Sequence, residues 1–397
     1  MAKALDDVRV LDLTHIYNGP YATLMLGFFG AEVIKVEPPR WGENARKIFK
    51  VPGTEESYPF IMLNSNKKGI TLNLKTVRGQ ELFKELVKRS DVVVENFAVG
   101  VMDKLGLGYE ALKQLNPDLI YATGTGFGLT GPYSAYPAYD PIIQAMVGVM
   151  STTGFPDGPP LKAGPPVTDI LGGIHLCAGI LAALHQRDRT GEGTLVETSL
   201  YDAALGPMIT QMSSYLARGV TGRFGNTAPG RVLSPYNCYA AQDGYVLLLV
   251  ADDIKWRALC QVIGRKDLID NPLFATNAAR VKRFDEVDAI VAEWIAQRSR
   301  REVMDQVASA DITCGIVQEV PEVLQDPHLR ARGTLQDIIH PTVGNVTVIG
   351  SPVRLNGEPP TIDSPSPTLG QHNELVYGKL LGLSVREIAS LQEQGII

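Results

Sequence analysis

The stretch Val8–Glu37, VRVLDLTHIYNGPYATLMLGFFGAEVIKVE, decides the fold. Its first six residues, Val8 to Leu13, form a buried-strand pattern. Pro20–Gly30 reads as a short helix, because proline suits a first helical turn and glycine closes a last one. Ala31–Glu37 is the next strand. The alternation continues outward. GITLNL (Gly69–Leu74), DVVVENF (Asp91–Phe97) and DLIYATGTG (Asp118–Gly126) add strands. TVRGQELFKELVKRS (Thr76–Ser90) adds an amphipathic helix with a basic end. Strands alternating with helices predict an α/β fold with a mainly parallel sheet.

Further along, two long helical segments are expected, Asp140–Thr152 and Thr168–Arg187. The strand-like TLVETS (Thr194–Ser199) and a helix to about Leu216 come next. The character changes near Arg218. RGVTGRFGNTAPGRVLSP is rich in glycine, proline and arginine and reads as a linker. YNCYAAQDGYVLLLVA then suggests two strands around a Gln-Asp-Gly turn, and Arg283–Ser299 a helix. The sequence therefore divides into a large domain over 1–200, a linker over 201–224 and a smaller α+β domain over 225–325. The remainder, 326–397, holds strand and turn, a proline-rich surface strap (GEPPTIDSPSPTLGQH) and two short helices.

Composition bounds the function. The chain has 397 residues, 45% hydrophobic and 20% charged, with a net charge of -6. This is ordinary globular composition, and the acidic balance argues against a nucleic-acid partner. The N-terminus shows no secretory h-region. No apolar run is read as reaching the ~18–20 residues of a membrane span, so no membrane association is expected. The four cysteines, Cys177, Cys238, Cys260 and Cys314, form no C-x-x-C pair. The six histidines form no H-x-x-x-H. Neither a metal site nor a disulfide framework is expected, and the setting is read as reducing and cytoplasmic.

GTGFGLTGPYSAYPAYDP (Gly124–Pro141) contains a literal G-x-G-x-x-G at Gly126, Gly128 and Gly131. A dinucleotide fingerprint must open a helix, so that the helix N-terminus faces pyrophosphate. Here Pro132 and Pro137 interrupt the residues that would have to form that helix. The first β-α turn lacks the motif altogether, although Glu37 ends the second strand where an acidic residue often holds a ribose. The nicotinamide reading is therefore rejected, and the glycines are read as a mobile turn. A second stretch, KAGPPVTDILGGIHLCAGILAALHQRDRTGEG (Lys162–Gly193), places Asp169 where a proline-containing loop meets a helix. Alone, Asp169 reads as a helix N-cap. Gly172 and Gly173 allow close approach of either a ligand or another helix.

That stretch, together with the adjoining TLVETSLYDAAL, resembles the family III coenzyme A transferases. So do VRVLDLTHIYNGPYATLMLGFFGAEVIKVEPP, NSNKKGITLNL, DVVVENFAVGVMDKLGLGYEALKQLNPDLIYATGTGFG and DITCGIVQEVPEVLQDPHL, in order along nearly the whole chain. The resemblance implies a transferase that moves CoA between two carboxylic acids, with Asp169 as covalent nucleophile. No metal or redox cofactor is implied, coenzyme A being a substrate. It implies a Rossmann-like large domain to which the C-terminal segment returns, and an interlocked, ring-like homodimer. It places Tyr139, as a second catalytic residue, and Asp140, as a substrate contact, beside the nucleophile. Ile16, Tyr17 and Asn18 are implied to line the pantetheine and thiol end. Leu72, Asn73, Asn96 and Phe97 would flank the rest of CoA, and Lys104 would meet its phosphates. Cations suit phosphates and apolar faces suit adenine.

The racemases of the family carry histidine where Tyr139 stands. Tyrosine, with an ordinary pKa of ~10, is a poor base at neutral pH, which favours transfer over racemisation. Two alternatives are an α-methylacyl-CoA-type racemase or epimerase and a non-catalytic CoA-binding subunit of a heteromeric transferase. Relatives of formyl-CoA transferase have glutamine at Tyr17, arginine at Pro38 and lysine at Pro137. Arg40 or Arg46 is expected to replace the missing arginine. Their glycine-rich loop is absent from TAPGRVLSPYNCY. Tyr17, Tyr21, Tyr136 and Tyr139 are expected to border a pocket for a larger, partly apolar acid rather than formyl and oxalyl groups.

Overall fold

In the computed structural model, which describes residues 3–397, six strands form one parallel sheet. They are β1 (Arg9–Asp12), β2 (Glu32–Glu37), β3 (Lys67–Thr71), β4 (Val92–Glu95), β5 (Ile120–Thr125) and β6 (Leu195–Ser199). Their order across the sheet is β3-β2-β1-β4-β5-β6. The chain winds outward from β1 to β3, returns, and winds the other way from β4. The carboxyl ends of β1 and β4 therefore flank a crevice where connections leave in opposite directions, the usual ligand position in open α/β sheets.

The sheet is buried on both faces, which is why Val92, Val93 and Val94 can be apolar in succession. Leu11, Leu13 and Val93 meet Leu82, Phe83 and Leu86 of the Val77–Val87 helix. Val376 and Tyr377 from the C-terminal segment join that layer. On the other face Val10, Val92 and Val94 meet Ala22 and Leu26 of the Asn18–Phe28 helix, and Leu176 and Ile180 of the Val167–Thr190 helix. The last of these has 24 residues and is apolar enough to cross a bilayer by length and composition, contrary to the expectation from sequence. Its apolar residues are in part those that pack on the sheet.

The expected helix over Asp140–Thr152 is two, Asp140–Met146 and Val149–Thr152. Gly148 stands between them with φ +95. The proline-rich strap lies along β3. Asn66 Oδ1 accepts the N–H groups of Asp363 (2.7 Å) and Ser364 (3.0 Å).

The chain forms two compact units. The first comprises the described residues to Val147, Gly164–Gly206 and Leu324–Ile397, and includes an antiparallel hairpin near its C-terminal part. The second comprises Gly148–Ala163 and Pro207–Val323. Its sheet is antiparallel, built from β7 (Tyr236–Ala241), β8 (Gly244–Leu249) and β9 (Thr313–Ile316). Trp256, Val287, Val291 and Val303 from three helices pack on it.

Candidate active site

Asp169 stands in the first turn of the Val167–Thr190 helix. It is not the N-cap that a reading of Asp169 alone suggests, since Pro166 holds that position without a side-chain hydrogen bond. The capping role falls to Asp140. Its Oδ1 accepts the Thr168 N–H (2.9 Å) and the Thr168 hydroxyl (2.8 Å). Its Oδ2 accepts from Gln144 Nε2 (2.7 Å). Asp140 is buried and both oxygens are occupied within the chain, so this carboxylate is committed to the helix start.

Asp169 itself is half-buried. Burial, and then the neighbouring Asp140 charge, push its carboxyl up to about 7. A helix N-terminus favours a carboxylate's charge, but desolvation outweighs that here. Tyr17 precedes the Asn18–Phe28 helix. Burial, then Asp169 and then Glu43 raise its phenol, so its hydroxyl lies within electrostatic reach of both carboxyls. Tyr139 is 72% exposed and free of core packing. The aromatic pocket expected from sequence does not assemble in full. Tyr136 belongs instead to a cluster with Phe127 and Tyr133, at ring separations of 6.3 and 5.4 Å.

Asn18 is wedged between elements. Its side-chain nitrogen and oxygen are both buried without a partner among the described residues. A Cβ on Gly172 would stand 2.3 Å from Asn18 Nδ2, and one on Gly173 2.5 Å from the Asn18 carbonyl oxygen. The paired glycines thus serve close packing of the Asn18–Phe28 helix. Gly173→Ala is expected to force these helices apart and cost about 1–3 kcal/mol. Urea denaturation measures this, and an unchanged midpoint would contradict the packing.

The remaining expected contacts separate into three groups. Ile16, past the end of β1, and Asn96 and Phe97, past the end of β4, lie at the β1/β4 crevice, where the latter two meet His15, the neighbour of Ile16. Asn96 exchanges two hydrogen bonds with the His15 backbone, 2.8 and 2.9 Å, and Phe97 lies 5.3 Å from the His15 ring. Phe97 also lines a cavity of about 210 Å³ at the ends of β4 and β5. Leu72 and Asn73 are occupied structurally: the Leu72 side chain is in the core, and the Asn73 N–H donates to Ile396 (2.7 Å). Arg40 and Lys104 are exposed cations. Arg46 is not an available cation. It is buried, donates to Glu37 at 2.7 and 2.9 Å, and its guanidinium lies 3.5 Å from the Phe60 ring centre. The same pairing removes Glu37 from any ribose role.

The glycine stretch after β5 is tied down rather than loose. Gly128 N–H donates to Thr125 Oγ1 (2.8 Å) and Tyr201 N–H to Gly126 (3.1 Å). Gly128 and Gly131 take φ +91 and +87, values that favour glycine.

Two residues escaped the sequence reading. His15 is held neutral, its pKa lowered to about 4 by burial and then by Lys35. Glu43 is buried, and desolvation raises its carboxyl. Nothing in the composition of GENARK, Gly42–Lys47, signals that one carboxylate folds inward. Among the described residues no group of three or more His, Cys, Asp or Glu could hold a metal ion.

The site is thus a desolvated carboxyl beside the ligand crevice of a doubly wound sheet. The chain belongs to CoA-transferase family III, whose family model matches residues 5–373. It is 37% identical to a formyl-CoA:oxalate CoA-transferase of Streptomyces coelicolor, over 100% of both chains. The crystal structure of a CAIB/BAIF family protein from Brucella suis is 35% identical, covers 96% of this chain and 100% of its own, and has a TM-score of 0.86. Rv3272 from Mycobacterium tuberculosis is 31% identical over 94% of this chain and 99% of its own, with a TM-score of 0.82. The protein is an enzyme of the transferase type, with acyl-CoA and carboxylate substrates.

Proposed function

We propose that the enzyme transfers CoA between two carboxylic acids through covalent intermediates on Asp169. The half-buried carboxyl of Asp169, raised to about 7, is the observation that carries this reading. Near neutral pH it remains substantially ionised, yet it is poorly solvated and hence a better nucleophile than a surface aspartate. Its oxygen attacks the thioester carbonyl and expels CoA thiolate, leaving a mixed anhydride. The thiolate attacks the aspartyl carbonyl and releases the donor acid, leaving an aspartyl-CoA thioester. The acceptor carboxylate attacks that carbonyl, expelling thiolate and forming a second anhydride. Attack of thiolate on the acceptor acyl carbon gives the new acyl-CoA and restores Asp169. CoA is the substrate throughout, and the steps call for no metal or redox group. Ile16, Tyr17 and Phe97 would border the reacting end of CoA, with Arg40 and Lys104 as the cations for its phosphates.

Hydroxylamine trapping tests the intermediate. Incubation with acyl-CoA and then hydroxylamine is expected to leave a hydroxamate on Asp169, found by peptide mass spectrometry; hydroxamate only on the free acyl group sinks the reading. Racemisation predicts deuterium uptake at the α-carbon, and the exposed Tyr139 gives no support to a second base there. We further propose that the acceptor is larger than oxalate, because Tyr17 rather than an amide side chain adjoins Asp169. A panel of formyl-CoA or phenylacetyl-CoA with oxalate, succinate or phenylacetate decides this. Turnover with formyl-CoA and oxalate equal to that with larger acids would match the named activity of the relatives and overturn the size argument. A homodimer is part of the same reading. Ile209, Tyr215 and Leu216, exposed at 65, 58 and 80% on one helix, form an apolar face that a second copy would cover, and a monomeric mass in solution refutes it.

A further inference from the structure

Ile16 is β-branched and has φ +69, a left-handed conformation that such side chains rarely adopt. Strain of this kind persists only where the surroundings over-determine it, and it concentrates at functional sites. Here the neighbours are clamped from three directions. Asp12, at the end of β1, accepts the Thr14 N–H at 2.9 Å. Lys35 of β2 donates to the Thr14 carbonyl. Asn96, just past β4, holds both backbone groups of His15. Glu43 reaches the strained residue itself. Its Oε2 accepts the Ile16 N–H at 3.1 Å and the Ala45 N–H at 2.7 Å.

Glu43 is only 1% exposed, and its Oε1 has no hydrogen-bond partner among the described residues. A buried oxygen left unpaired costs stability, so burying this carboxylate is poorly explained by folding alone. What the carboxylate does achieve is local. It fixes the residue immediately before Tyr17, and the Tyr17 phenol responds to Glu43 as well as to Asp169.

We propose that Glu43 is a positioning residue for CoA transfer: by holding the Ile16 N–H in a left-handed turn, it sets where Tyr17 stands beside Asp169. This rests on Asp169 as the nucleophile. A displacement of about 1 Å at a reacting centre costs up to roughly 100-fold in rate, so a turn that relaxes by one hydrogen bond is enough to matter.

The test is a double-mutant cycle in the full-length enzyme, assayed with whichever donor–acceptor pair turns over fastest. Glu43→Ala is expected to lower kcat by about 10–100-fold. Glu43→Gln, which keeps an oxygen acceptor for both N–H groups, should retain kcat within about threefold. Ile16→Gly removes the strain, because glycine takes φ > 0 freely. Glu43→Ala should therefore cost clearly less in the Ile16→Gly background than in the Ile16 parent. Where Glu43→Ala does not fold, Glu43→Asp replaces it in the cycle, keeping the charge but withdrawing it by one methylene. An undiminished kcat in Glu43→Ala (or in Glu43→Asp where it stands in), a Gln variant as impaired as Ala, or equal losses in both backgrounds overturns the proposal. Asp169→Ala is measured in parallel. Full turnover there refutes the nucleophile, while the Glu43–Ile16 coupling is still read independently from its own cycle.

Discussion

Asp169→Ala is expected to lower CoA transfer by at least about 10⁴-fold, the scale on which loss of a covalent nucleophile falls. The loss should be in kcat. CoA affinity, measured by calorimetry with CoA itself, should change little, because in this reading the carboxylate acts on the acyl carbonyl and not on the body of CoA. Stability should hold or rise. The carboxyl is half-buried and raised by desolvation and then by Asp140, and the helix start is secured by Asp140 through Thr168. A collapse of the fold in this variant would mean that Asp169 is structural. Retained turnover would mean that another group carries the acyl or CoA moiety.

The second large effect is pH dependence. Burial and then Asp140 raise Asp169 to about 7, and the nucleophile must be ionised. Activity in kcat/KM should therefore be level above that value and fall toward tenfold per pH unit below it, reaching about 100-fold at pH 5. Asp140→Asn removes the second cause of the shift and keeps an oxygen acceptor for Thr168. The acid limb should move to lower pH, so that the variant outperforms the parent, relative to its own plateau, near pH 5.5. A limb that stays in place would show that Asp140 does not act on Asp169 through charge.

Stability carries a different sign. Asp169 titrates higher folded than unfolded, so its contribution is fully present below its unfolded value of ~3.9 and is lost as pH rises through 7. His15 is lowered to about 4; its contribution is present above its unfolded ~6.5 and is lost as pH falls toward 4. Between pH 4 and 7 these two groups oppose each other, and the acid limb of activity should not coincide with unfolding. Circular dichroism across the same range checks this.

Much of the architecture was legible because it rests on short-range pattern. Buried strands such as Val92–Glu95 announce themselves by consecutive β-branched residues, and the Val167–Thr190 helix by its run of small and apolar residues after Asp169. The position of Asp169 at a loop–helix junction was legible for the same reason. What failed was what depends on partners distant in sequence. Arg46 looked like a free cation, but Glu37 and the carbonyl of Pro367, 321 residues away, enclose it. Asp140 looked like a ligand contact, but Thr168, 28 residues on, takes its oxygen. Leu72 is core because Leu11 and Phe83 happen to meet it. Glu43 is the hardest case. Its inward turn is tied to a strained residue 27 positions earlier, and strain leaves no compositional trace.

The C-terminal cover of the sheet has a consequence for biosynthesis. Thr71 of β3 donates to Asn373, 302 residues later, and the same segment supplies Val376 and Tyr377 to the layer over β1. At ~5–20 residues per second, translation needs roughly 15–60 s to span that gap. Throughout that interval the emerging sheet has one apolar face incompletely roofed and its β3 edge unstrapped. Nascent chains stalled before residue 373 should therefore be the ones that bind chaperones and aggregate, whatever the final stability of the finished enzyme.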